Sequence, residues 1–125
     1  MTDALKVAVP TTGTGGLDAE RSAHFGHAES FTVVDVADGQ ITGSDVMANP
    51  PHSHGGCGAT VMMLANAGVG TAIVVGMGGG PLAAMNANGM TPLFDDQSPT
   101  PRAAVEAFLT GRLAAFGNDH TCSGH

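Results

Sequence analysis

The segment His52-Ser53-His54-Gly55-Gly56-Cys57-Gly58 places two imidazoles and a thiol within six residues, directly before an apolar run that reads as a helix. Imidazole nitrogen and thiolate sulfur are borderline or soft donors that suit zinc, copper, nickel and iron–sulfur centres, whereas magnesium and calcium take oxygen. The donor types therefore point to the handling of a transition metal or a metallocluster. A cysteine just ahead of a helix also meets the positive end of the helix dipole and free backbone N–H groups, which favours its thiolate. Gly55 and Gly56 let the backbone fold back so that His52, His54 and Cys57 can converge. A plainer reading of the same residues is a pair of solvated imidazoles beside a cysteine acting as a small apolar filler.

Two further groups carry the same donors. His24 and His27 sit in Ser22-Ala23-His24-Phe25-Gly26-His27 and share a ligand only if that loop curls; singly, each reads as an ordinary surface residue. His120-Thr121-Cys122-Ser123-Gly124-His125 puts two imidazoles and a thiol on a polar tail, a composition suited to metal capture or relay, or to an inert end. The glycine turn Val75-Gly76-Met77-Gly78-Gly79-Gly80 lacks the spacing and the acidic partner of a dinucleotide site. It offers instead backbone N–H groups at a helix start, able to hold an anion such as a cluster sulfide, a molybdate oxygen or a phosphate. Cys57 and a nearby histidine could also form a nucleophile–base pair in a small enzyme, but no oxyanion partner is evident. Asp35, Asp45, Asp95 and Asp96 are scattered at strand ends and turns, where most read as solvated turn residues and no two-metal hydrolase site is evident from their spacing.

The elements that must position these groups follow from period and punctuation. Residues 5–9 form a first strand stopped by Pro10, and 30–36 and 41–47 form a hairpin across the Asp38-Gly39 turn, its second strand at a sheet edge. After a loop over 48–56, residues 59–67 read as a helix closed by Gly68. A buried strand over 71–75 leads through the glycine turn into a second helix, from Pro81 to about Asn88, ended by Gly89; 91–94 is a short last strand. Thr100 caps a third helix, with Val105, Phe108, Leu109 and Phe116 on one face and Gly111 as a local weak point. The order is βββαβαβα, a mixed-sheet α/β domain over residues 1–117, and 118–125 form a flexible Cys/His tail.

Composition narrows the function classes. Eleven acids against four bases give a formal charge of −7, which repels nucleic acid, and the absence of Trp and Tyr removes most base-stacking platforms. No apolar run approaches the roughly 20 residues of a membrane helix, so no membrane association and a cytoplasmic location are expected. Two cysteines do not make a disulfide scaffold, although a Cys57–Cys122 bridge is compatible with the sequence.

Four segments in order, Lys6-Val7-Ala8-Val9-Pro10, His24-Phe25-Gly26-His27-Ala28-Glu29-Ser30-Phe31, His54-Gly55-Gly56-Cys57-Gly58 and Val75-Gly76-Met77-Gly78-Gly79-Gly80, together resemble the dinitrogenase iron–molybdenum cofactor biosynthesis family. That family includes NifX-like and NifB C-terminal-like carriers and orange-protein-like carriers, and the resemblance spans residue 5 to about 116. It implies a ribonuclease-H-like five-stranded sheet of order 3-2-1-4-5 with three helices. It also implies a non-enzymatic carrier of an iron–sulfur or iron–molybdenum-type cluster for nitrogen fixation, serving a cofactor-assembly or recipient protein. The cargo would meet Phe25 and Gly26, the loop from His54 through Gly55, Gly56, Cys57 and Gly58, and the turn of Gly76, Gly78, Gly79 and Gly80. The additional His52 and the tail with His120, Cys122 and His125 depart from the family pattern and leave open a single Zn, Ni or Cu ion with a structural or sensing role. Three ligands leave coordination incomplete, so His24, His27, the tail, the cargo's sulfides or a second copy in a homodimer must complete it.

Overall fold

Alternating apolar residues over the first strand have to serve two layers at once. The computed structural model describes residues 5–25, 28–49, 56–77 and 79–116. β1 (Leu5–Thr11) is followed by β2 (Ser30–Ala37), β3 (Gln40–Ala48), α1 (Gly56–Asn66), β4 (Thr71–Val74), α2 (Gly79–Ala87), β5 (Thr91–Phe94), α3 (Pro101–Leu109) and β6 (Ala114–Ala115). The sheet order is β3-β2-β1-β4-β5-β6. β1 is parallel to β4 and β4 to β5, while the β1–β2, β2–β3 and β5–β6 pairings are antiparallel. Asp38 and Gly39 both take positive φ, 56° and 75°, the two-residue hairpin geometry that matches strand twist. As expected, β3 lies at the edge of the sheet.

The period of two divides the core. Ala8, Phe31 and Val33 join Val61 and Leu64 of α1 and Leu82 and Met85 of α2 in one buried cluster. Val7, Val9, Val34, Val36 and Ile73 join Ala104 and Val105 of α3 in another. A one-residue slip of β1 would push valines into the space left by Ala8, and overpacking of that kind costs about 1–3 kcal/mol. Met85 is buried and Met63 half-buried against the core, whereas Met62 is exposed.

Four boundaries differ from the sequence reading by two residues or more. Pro10 does not stop β1: its carbonyl accepts from Ser22 N, so its donorless nitrogen also faces away from β2, beyond the Val7–Ala8 pairing with β4. α1 begins at Gly56, not at 59, and α2 at Gly79, not at Pro81, because the apolar period starts later than the helical backbone. α3 has the expected Thr100 cap, accepting from Ala103 N at 3.2 Å, but it ends at Leu109. There Gly111 (φ 73°) is a terminator: its N–H reaches Phe108 O and that of Arg112 reaches Ala107 O. The same pair of bonds closes α1 at Gly68 and α2 at Gly89. The chain then turns back, and Ala114–Ala115 add a sixth strand to the expected five. Phe116 therefore belongs to no helix; its N–H donates to Pro92 O and its ring stands 6.2 Å from that of Phe94.

Asp95 is a second correction. It is 4 % exposed, not a solvated turn residue, and its Oδ2 stands 3.9 Å from Arg21 Nη1. Arg21 Nη1 also donates to Ser98 O at 3.0 Å, so the pair straps the segment after β1 to the segment after β5. Burial would raise the Asp95 carboxyl, but bonds from the Ser98 hydroxyl and from the Gln97 and Ser98 N–H groups, with the Arg21 charge, hold it below the usual aspartate range. Burial lowers Arg21, opposed by Asp95 and Asp96. Removing one partner strands a buried charge, so Arg21→Ala is expected to lose about 3–5 kcal/mol in urea denaturation. A depressed folded carboxyl contributes stability above the unfolded carboxylate's range, near pH 4, and loses it as pH falls through the lower folded value. A pH series of melting temperatures should therefore decline on the acid side in the native chain, with a shallower decline in Asp95→Asn.

Candidate metal centre at the carboxyl ends of the parallel strands

Strand direction decides which loops meet. β2 runs against β1 and β3 against β2, so β3 points the same way as β1, β4 and β5. The chain therefore leaves β1, β3 and β4 at one edge of the sheet, and α1 and α2 both begin there, packed side by side on one face. β1 is where the strand order reverses, and the crevice outside the carboxyl ends of such a sheet is the usual ligand position in α/β folds.

At this edge Phe25 N–H donates to Gly76 O at 3.1 Å. The Phe25 ring is 1 % exposed and packs 5.1 Å from Phe31, their planes tilted by 53°. Two of the segments singled out by sequence are thereby brought together. His24, just before Phe25, is exposed, and its backbone N–H and carbonyl both bond the Ser22 hydroxyl. Cys57, expected ahead of a helix, is the second residue of α1, between Gly56 and Gly58. Gly79 and Gly80 form the start of α2. Each first turn carries backbone N–H groups without a helical partner and the positive end of a dipole worth roughly half an elementary charge, and neither contains an acidic residue. Gly26, His27, His52, His54, Gly55, Gly78, His120, Cys122 and His125 lie outside the described residues. Among the described residues, no three His, Cys, Asp or Glu side chains gather into a metal-binding group.

The polar residues that hold this edge were not singled out by sequence. Asn49, at the end of β3, donates from Nδ2 to Ala28 O at 2.7 Å and from its backbone N–H to Glu29 O at 3.2 Å. Its Oδ1 accepts from the Thr60 hydroxyl at 3.0 Å, inside the first turns of α1. Glu29 Oε1 in turn accepts from Gly13 N at 2.6 Å. Behind these, Thr11 Oγ1 lies 2.7 Å from Ser30 Oγ and 3.2 Å from Thr32 Oγ1, all three residues buried. Gly15 (φ 74°) crosses this hydroxyl cluster so closely that a Cβ would stand 2.9 Å from Val46 Cγ1 and 3.1 Å from Thr11 Oγ1. One signal was available in the sequence: Thr32 and Thr60 are hydroxyls inside otherwise apolar runs, positions that become buried and need partners.

The family model described as "Dinitrogenase iron-molybdenum cofactor" matches residues 5–111. An uncharacterised protein of Methanocaldococcus jannaschii is 26 % identical over 115 residues, covering 90 % of this chain and 92 % of that protein. The apo form of the orange protein from Desulfovibrio gigas superimposes with a TM-score of 0.78 at 29 % identity, over 90 % of this chain and 92 % of the other. A Thermotoga protein provisionally named NifB superimposes with a TM-score of 0.74 at 26 % identity, over 92 % of this chain and 98 % of the other.

Because the Phe25 ring is buried against Phe31 while its N–H is bonded to Gly76, its truncation acts on packing first. Phe25→Ala is expected to lower stability by about 3–5 kcal/mol, measured by chemical denaturation. Phe25→Leu, which keeps most of the buried volume, is expected to lose less than half of that.

Proposed function

Since the chain belongs to the dinitrogenase iron–molybdenum cofactor family, with residues 5–111 matched, we propose that it serves cofactor biosynthesis by binding a metal–sulfur cluster and passing it to an assembly or recipient protein. The observation that carries this reading is the convergence at one sheet edge of the Phe25 segment, the Gly76 turn and the start of α1 that bears Cys57. Cys57 as thiolate, with His54 and His52 as imidazole donors, provides soft ligands for iron, molybdenum or copper in a sulfide cluster. His24 and His27 stand next in line as ligands. The first turns of α1 and α2 direct N–H groups and dipole charge toward an anionic cargo.

A carrier must release what it holds. Three protein ligands leave positions on the metal to be filled by the cargo's own sulfides or by the recipient, and exchange at those positions allows transfer without bond-making chemistry on the protein. The chain is in this reading a carrier and not an enzyme. No described helix is long and apolar enough to cross a membrane, and the net charge of −7 disfavours a nucleic-acid partner.

Anaerobic reconstitution with ferrous iron and sulfide, with and without molybdate, followed by metal analysis and absorbance, tests the proposal. The native chain is expected to retain metal and sulfide stoichiometrically, and Cys57→Ala to lose most of both. Absence of stoichiometric binding by the native chain would sink the carrier reading. Truncation after Gly117 removes His120, Cys122 and His125; retained binding is expected, whereas its loss would favour a single ion completed by the tail.

A further inference from the structure

The Asn49 side chain bonds two of the three segments that converge at the candidate site. Three of its bonds reach three different residues: Nδ2 donates to Ala28 O at 2.7 Å, the backbone N–H to Glu29 O at 3.2 Å, and Oδ1 accepts from Thr60 Oγ1 at 3.0 Å. Thr60 is 3 % exposed and lies three residues beyond Cys57 on α1. Ala28 is likewise buried, three residues beyond Phe25, whose N–H is tied to Gly76. One amide thus joins the exit of β3, the Phe25 segment and the beginning of α1.

We propose that Asn49 is a positioning residue for the cargo site, setting the start of α1, and with it Cys57, against Ala28. The inference rests on the carrier reading for what is positioned, but the junction itself is a property of the fold. The chemistry requires an amide. Ala28 offers a carbonyl, which only accepts, and the Thr60 hydroxyl donates, so the residue between them must present a donor and an acceptor on one short planar group. Aspartate has the same shape but would set a carboxylate oxygen against the Ala28 carbonyl. Leucine would leave both partners unsatisfied, each at the cost of a buried polar group. The local sequence supports a built junction: α1 opens with Gly56-Cys57-Gly58, where two residues of the first three resist helix formation, so its start depends on a tertiary anchor.

The test compares Asn49→Asp, Thr60→Val, Thr60→Ser and Val105→Ala in the full chain. Val105 lies in the core cluster under α3, on the opposite face of the sheet, and its truncation lowers stability without touching the junction. Cobalt(II) titration, read by thiolate-to-cobalt charge-transfer absorbance, reports affinity at Cys57. Asn49→Asp and Thr60→Val are expected to weaken cobalt binding by about tenfold or more, the usual effect of losing a group that orients a metal ligand. Thr60→Ser, which keeps the hydroxyl, should bind like the native chain, as should Val105→Ala. Equal affinity in Asn49→Asp and the native chain, or a loss in Val105→Ala of the same size, would overturn the proposal.

A second readout needs no metal. Amide hydrogen exchange at Thr60, Val61 and Met62 is expected to accelerate in Asn49→Asp relative to Val105→Ala, because the first bonds of α1 open more often once the anchor is cut. If the native chain binds no cobalt, exchange alone judges the junction: unchanged protection in Asn49→Asp then rejects it, whereas the carrier reading stands or falls with the iron and sulfide reconstitution.

Discussion

β1 has to satisfy its backbone on two edges of opposite sense. It pairs antiparallel with β2 along residues 5–11 and parallel with β4 at Val7 and Ala8, and that reversal is the constraint on which the rest of the structure depends. The hairpin restores β1's direction in β3, so α1 starts at the same edge as α2. With a single strand in place of the hairpin, α1 would start at the far edge. Even the four residues of β4 span about 13 Å at roughly 3.3 Å each, a separation that would carry the start of α1 away from the end of the sheet where the Gly76 turn lies. Right side-chain chemistry on the wrong edge would be no site at all.

Apolar packing alone does not define that edge. Valine and methionine contacts fix how the helices lie on the sheet, but they tolerate small shifts, whereas hydrogen bonds of buried groups do not. Asn49 with Thr60, the Thr11–Ser30–Thr32 hydroxyls, and Arg21 with the Ser98 carbonyl are buried or half-buried polar groups, and each has a hydrogen-bond partner on a different segment. Leaving any one unmatched costs about 1–3 kcal/mol for a neutral group and more for a charge. The joints therefore tie Arg21, Ala28 and Glu29 to the exit of β3 and the loop after β5.

Much of the fold was legible because the relevant physics is local. The hairpin follows from Asp38-Gly39, the Thr100–Pro101 helix start from capping, and the helix ends at Gly68 and Gly89 from the need for a left-handed residue. Gly111 has the same chemistry and the same pair of terminating bonds, yet apolar residues continue past it, so the pattern suggested a longer helix. Phe116 is apolar because it packs against Phe94 of a neighbouring strand, a contact with no sequence period. Pro10 was misleading for a related reason: whether a missing N–H matters depends on which neighbour that side of the strand faces. Asp95 looked like a turn residue because it is one, and nothing local reveals that Arg21 will cover it.

The sequence by itself determined the donor types, the order of the first eight elements and the family, because ligand chemistry and period are written along the chain. It also placed the candidate loops beside strands that would be parallel. Tertiary structure alone decided that Phe25 meets Gly76, that Cys57 lies within the first turn of α1, and that Asn49 joins the segments around it. The physical reason is that these are pairings between backbone and side-chain groups far apart in sequence, and the direction in which a polar group points is set only when the sheet has fixed the segments that carry it.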